Sequence, residues 1–150
     1  MIITFFGHAS FIENEKYEQK VLDFLEERIG DRVAYAYLGK HGKFDDFAYE
    51  CCRKYKVKHP NLSLVYVTPY MTLEFQKKHL SEQLRHYDQV IYPEIEDKPI
   101  RFAIIYRNRY MVESADFVLT YVSHRWGGAY KAFEYAKKKG KPIFNIAESL

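Results

Sequence analysis

The sequence predicts an α/β protein of Rossmann-like class: a doubly wound, mostly parallel sheet of about six strands with helices on both faces. Two observations carry this. Short runs rich in β-branched and aromatic residues alternate with helical segments along the whole chain, which is βα order throughout. Runs such as FVLTYV, ending at Val122, are nearly continuous in apolar residues, as strands are when a parallel sheet is covered on both sides.

Taken in order, residues 2–6 form the first strand. Tyr17, Val21, Phe24, Leu25, Arg28 and Ile29 then keep the rhythm of an amphipathic helix, which Gly30 terminates. Residues 32–38 are the second strand, and Phe44, Phe47, Ala48, Cys51 and Tyr55 repeat the helical spacing. A third strand covers 62–68, a third helix 73–87, and a fourth strand 89–92. The segment PEIEDKP, 93–99, is a surface loop that leads into a fourth helix from 99 to 114. Residues 116–122 make the fifth strand, 127–139 the last helix with Gly140 as its stop, and 142–146 the sixth strand.

The 150 residues fit one Rossmann-like domain, 1–150, large enough to need no disulfide or metal support. A charged share of 29% and a mean hydropathy of −0.43 belong to a soluble protein, and no apolar run approaches the roughly 20 residues of a spanning helix, so no membrane is expected as partner. A net charge of +3 is too small for a polyanion-binding surface, so nucleic acid is not the expected partner either. The cluster Lys137, Lys138, Lys139 and Lys141 falls where a helix ends, and cations there complement the helix dipole. Cys51 and Cys52 are adjacent on a helix, so neither a bridge nor a metal site is implied. With no secretory hydrophobic region at MIITFF, a cytoplasmic location is expected.

In such a sheet, ligands bind beyond the carboxyl ends of the strands, so candidate residues are those that follow them. Gly7 lets the backbone approach a ligand and His8 offers a polar ring, although from position alone a tight turn with a hydrogen-bonded histidine is the better explanation of both. Gly39 and Gly42 expose backbone N–H groups after the second strand, but they complete neither GxGxxG nor a Walker loop, so no particular cofactor is implied. Arg107 shares a helical stripe with Ile100, Ala103, Ile104 and Met111, which puts a guanidinium on an inward face. There it needs an anion, either an internal carboxylate such as Asp116 or a phosphate. Gly127-Gly128 opens the last helix, whose free amides and positive dipole end form an anion site. Glu134 lies roughly 10 Å farther along that helix, a span suited to a ribose phosphate.

These motifs resemble a known family. RNRYM, SADFVL and GGAYKAFE are similar to the signatures of the LOG phosphoribohydrolases, an RKxxM helix and a PGGxGTxxE turn around a nucleoside monophosphate. Arg107 and Met111 fall on the first motif; Gly127, Gly128 and Glu134 fall on the second. Over nearly the full length, FFGHASF, GKHGKFDDFA, VTPY, YDQVIYP and HRWGGAYKAFEYAKKKGKPI resemble the YpsA-like uncharacterised branch of the same SLOG (Smf/DprA and LOG) superfamily. The chain departs from LOG at Trp126, where LOG has the proline, and at Tyr130-Lys131, where it has Gly-Thr.

The resemblance implies a Rossmann-like fold and a nucleotide or nucleotide-derived ligand. Because the binding features persist while the catalytic surroundings are altered, the leading expectation is binding in a sensing or regulatory role by Gly7, His8, Gly39, Gly42, Arg107, Trp126, Gly127 and Gly128. Its alternative is a LOG-like hydrolase that cleaves a nucleoside 5′-monophosphate to free base and ribose 5-phosphate, with Arg107 and Glu134 as the catalytic pair. Whether the chain is an enzyme stays open between these two. A homodimer is an expectation from the resemblance alone.

Overall fold

The computed structural model describes residues 1–150. Its six strands are β1 (Ile2–Gly7), β2 (Ala34–Leu38), β3 (Leu62–Val67), β4 (Gln89–Ile91), β5 (Phe117–Tyr121) and β6 (Ile143–Asn145). They lie in the order β4-β3-β2-β1-β5-β6, and every neighbouring pair is parallel. The sheet expected to be mostly parallel is wholly so.

The helices are α1 (Glu15–Arg28), α2 (Lys43–Lys58), α3 (Leu73–Phe75), α4 (Ser81–His86), α5 (Ala103–Ser114) and α6 (Gly128–Lys138). α1 starts where the Asn14 side chain accepts the Tyr17 N–H at 2.8 Å, a cap worth about 1 kcal/mol. Glu15 and Glu18 then sit at the positive end of its dipole and Arg28 at the other. The basic cluster at the end of α6 has a partly local use: Lys141 Nζ donates to the Glu113 and Ala115 carbonyls at the end of α5, at 3.1 and 2.9 Å.

Two cores form because alternate side chains of a strand point to opposite faces. Ile3 and Phe5 of β1 pack with Phe24 and Leu25 of α1 and with Phe44, Phe47 and Cys52 of α2. Phe6 faces the other way, toward Met111 and Val112 of α5 and Ala132 and Ala136 of α6. No helix is long and apolar enough to cross a membrane.

The third helix expected over 73–87 is not one regular helix. A π-helical stretch, Gln76–Leu80, separates α3 from α4, and of the three pieces only α4 buries a residue, Gln83. So little apolar packing leaves a single α-helical period unenforced. The fourth helix begins as a 3₁₀ turn, Ile100–Phe102, and Ile100 is 75% exposed there rather than on the inward stripe.

The chain winds outward from β1 through β4, then returns to the opposite side of β1 as β5 and β6. The strand ends of β1 and β5 therefore part helices that lie on opposite faces, and a crevice opens between them.

Candidate functional site

That crevice is a cavity of about 440 Å³, within the usual range for small-molecule sites. Gly7, His8, Gly39, Arg107, Trp126, Gly127 and Gly128 all line it, so residues far apart in sequence meet at one place. Gly42 does not line it. As the residue preceding α2, with φ of 109°, Gly42 packs on Ala9, where an added Cβ would lie 2.7 Å from the Ala9 backbone. Its expected ligand role is corrected on that ground: its glycine serves the turn and the close approach of the loop after β1.

His8 ties the two central strands together. Its backbone N–H donates to the Tyr121 carbonyl at 3.3 Å, and its ring Nε2 accepts the Ser123 N–H at 2.9 Å. An acceptor at Nε2 leaves the proton of the neutral ring on Nδ1. Burial first, and the adjacent His124 second, pull its pKa below the ordinary value. The His8 ring stacks on His124 at 3.5 Å, and His124 stacks on Trp126 at 3.8 Å. Trp126 is 70% exposed beyond that contact, so much of the indole is open to solvent beside the cavity. His124 Nδ1 is buried and has no hydrogen-bond partner.

Arg107 is 2% exposed and projects from α5 beneath the crevice. One terminal nitrogen donates to the Val67 carbonyl at the end of β3 at 2.8 Å, and Nε donates to the Asn108 side-chain oxygen at 2.9 Å. The other terminal nitrogen bonds to nothing in the chain. Asp116, the carboxylate offered by the sequence, is elsewhere: it accepts the Ile2 N–H at 2.8 Å. The nearest carboxylate is instead Asp45 in the first turn of α2, which forms no ion pair with Arg107 but shares the cavity. The two charges flank Gly39, where an added Cβ would come within 3.1 Å of Asp45 Oδ2 and 3.3 Å of both Arg107 terminal nitrogens. Gly39 is a glycine because two charged groups close over its backbone. Burial pushes the Asp45 carboxyl up, against the pull of the His41 amide and of Arg107, and burial lowers Arg107 while Asp45 raises it.

The start of α6 has the opposite character. Gly127, with φ of 91°, precedes a helix with no side-chain cap and no acidic residue in its first turn. A Cβ at Gly127 or Gly128 would meet nothing within 4 Å. The positive φ accounts for Gly127, but neither packing nor backbone accounts for Gly128. The first amides of α6 need acceptors from outside the helix.

Glu134 lies apart from this cavity. It lines a neighbouring groove of about 610 Å³ between α5 and α6, with Arg109, Lys131, Tyr135 and Lys138. Its side chain is 46% exposed and sits 3.7 Å from Lys137. The groove and the cavity share Ile104, Asn108 and Gly128, so they adjoin, but Arg107 and Glu134 do not face one space. Cys51 and Cys52 are free and buried, and burial pushes the Cys51 thiol up to about 12, so neither is a nucleophile.

Sequence reasoning missed Asp45, Asn108 and His124. Asp45 had a usable signal: a carboxylate soon after the second strand is where Rossmann folds hold ribose hydroxyls. His124 had none, because only folding places its ring on that of His8.

No family model and no curated protein matches the chain. Among solved structures, it is similar to DNA processing protein A from Helicobacter pylori, described for its single-stranded DNA binding mode, at 17% identity and a TM-score of 0.64 over 97% of this chain and 64% of that one. It is also similar to DNA processing protein A (DprA) from Streptococcus pneumoniae, at 16% identity and 0.68 over 99% and 50%. TM1055, a structural-genomics target, follows at 10% identity and 0.56 over 95% and 71%. The chain thus spans between half and two thirds of the DNA processing proteins it resembles. These likenesses show the fold.

Proposed function

We propose that the crevice binds the phosphorylated ribose of a nucleotide or nucleotide-derived ligand, and that the chain is a ligand-binding module of the YpsA-like kind. One observation carries this: a buried guanidinium with an uncommitted nitrogen and the uncapped amides of α6 line the same cavity. Phosphate on the Gly127 and Gly128 amides would meet the positive end of the helix dipole and a charge-assisted bond from Arg107. The Trp126 indole would stack on the base. Hydrolysis would need Arg107 and Glu134 at one sugar, and their separation favours binding without turnover.

A second reading has its own support. Single-stranded nucleic acid carries the same phosphate chemistry, and the groove that continues from the cavity presents Arg109, Lys131 and Lys138, none of them in an ion pair. Arg109 lies against the Tyr106 and Tyr135 rings, 5.3 and 5.2 Å from their centroids. Aromatic and cationic groups together suit a strand of stacked bases. A location inside the cytoplasm fits either ligand.

Incubation of the protein with AMP, CMP, GMP and a cytokinin monophosphate, with thermal shift and free base both measured, tests the first reading. Stabilisation without base release is the expected result, whereas base release lost in Glu134→Gln would establish the hydrolase. Retention of a DNA oligonucleotide that weakens steeply with salt, with no response to mononucleotides, would favour the strand.

A further inference from the structure

We infer that Asp45 is a specificity residue, a carboxylate that accepts a ribose hydroxyl and makes the crevice select ribonucleotides over their deoxy forms. This rests on the nucleotide reading above. Asp45 Oδ2 is committed to the chain, because it accepts the His41 N–H at 2.7 Å and so fixes the turn before α2. Oδ1 has no partner in the chain, and the side chain lines the same cavity as Arg107. Both groups crowd the Gly39 backbone, so an anion held by Arg107 stands within a sugar's length of a carboxylate.

That neighbourhood disfavours a bare anion and suits a particular kind of ligand. At close range two negative charges repel, and burial weakens screening. Arg107 offsets part of the repulsion, but it is not ion-paired to Asp45, so both keep free bonding capacity. A ligand that brings hydroxyl donors beside its phosphate turns the carboxylate from a repulsive group into an acceptor. A ribose 5-phosphate has this pattern, and a 2′- or 3′-deoxyribose phosphate lacks one of the donors. A carboxylate after the second strand holds ribose hydroxyls in dinucleotide-binding folds by the same chemistry.

The test measures affinities by calorimetry for inorganic phosphate, AMP, 2′-deoxy-AMP and 3′-deoxy-AMP, on the wild type, Asp45→Asn and Arg107→Ala. The wild type should prefer AMP to at least one deoxy form by about tenfold, the worth of one hydrogen bond to a charged group. Asp45→Asn should erase that preference and bind inorganic phosphate as well as or better than the wild type does. A residue that only fixes the turn before α2 would lower all affinities together. Equal wild-type affinity for AMP and both deoxy forms would overturn the role of Asp45. If AMP affinity in that case still collapses in Arg107→Ala, the nucleotide reading stands without it. Binding of none of the nucleotides by the wild type would end both. Should Asp45→Asn fail to fold, the wild-type ratio alone decides.

Discussion

Helices α2 and α6 begin at the same edge of the sheet, each after a glycine of positive φ, Gly42 and Gly127, and each without a side-chain cap. At α2 the protein closes its own helix end: the Lys43 N–H donates to the Ala9 carbonyl at 3.1 Å, Asp45 and Asp46 face the dipole, and Gly42 packs on Ala9. At α6 none of this happens, and the space around Gly127 and Gly128 is open. Two helix starts that read alike in sequence therefore differ in what completes them. One is satisfied within the fold, and the other presents its amides to a cavity with a buried arginine on its wall.

The largest effect should come from the charge opposite α6. Arg107→Ala is expected to lower AMP affinity about hundredfold, roughly 3 kcal/mol, read by calorimetry. Arg107→Lys should recover only part of it, because the three donors of an ammonium share one nitrogen and cannot span the separate positions from which the guanidinium serves Asn108, Val67 and a phosphate.

Paired glycine substitutions break the comparison itself. Gly42→Ala should cost about 2–4 kcal/mol in denaturant unfolding, from a conformation only glycine adopts easily and a clash with Ala9. Gly128→Ala should leave stability unchanged or raise it by up to about 1 kcal/mol, since alanine is the better helix former and its methyl meets no atom. Its AMP affinity should nonetheless fall about tenfold, because the methyl shields the amides from phosphate. Equal losses of stability in the two variants would erase the difference between the helix ends.

Trp126→Ala should weaken nucleotide binding by about 1–3 kcal/mol, the usual worth of stacking one base, with ribose 5-phosphate affinity unchanged. The smallest effect concerns His8, whose folded-state pKa is depressed, so the fold favours its neutral form. The stability this adds is complete above the unfolded value of 6.5 and is lost as pH falls from there toward the folded-state value. Thermal melts from pH 7.5 to 5 should show that loss, and His8→Gln, which faces His124 without a titrating ring, should flatten it.

Much of the fold was legible because buried parallel strands write themselves as apolar runs. FVLTYV could be little else, and βα alternation with right-handed crossovers leaves few topologies. The break between α3 and α4 was not legible, since an exposed segment constrains its helical period weakly. Within the site, Arg107 was visible from its stripe, but its partners Val67 and Asn108 and the nearby Asp45 were not. The choice between Asp116 and Asp45 depends on which strand ends come together. Gly42 and Gly127 share a positive φ before their helices and differ in whether the loop carrying Ala9 lies against them, which no local pattern records. Glu134 sat at a suitable distance along its helix, yet the turn of that helix faces it into a separate groove.

The most direct measurement is a titration of ¹⁵N-labelled protein with AMP, followed by amide chemical shifts. The Gly127 and Gly128 amides and the Arg107 Nε–H should move together and saturate with one affinity, and by more than Gly42 and Lys43, which feel only the ribose at Asp45. Shifts confined to the Arg109, Lys131 and Lys138 groove, or equal at both helix starts, would contradict a phosphate held at α6.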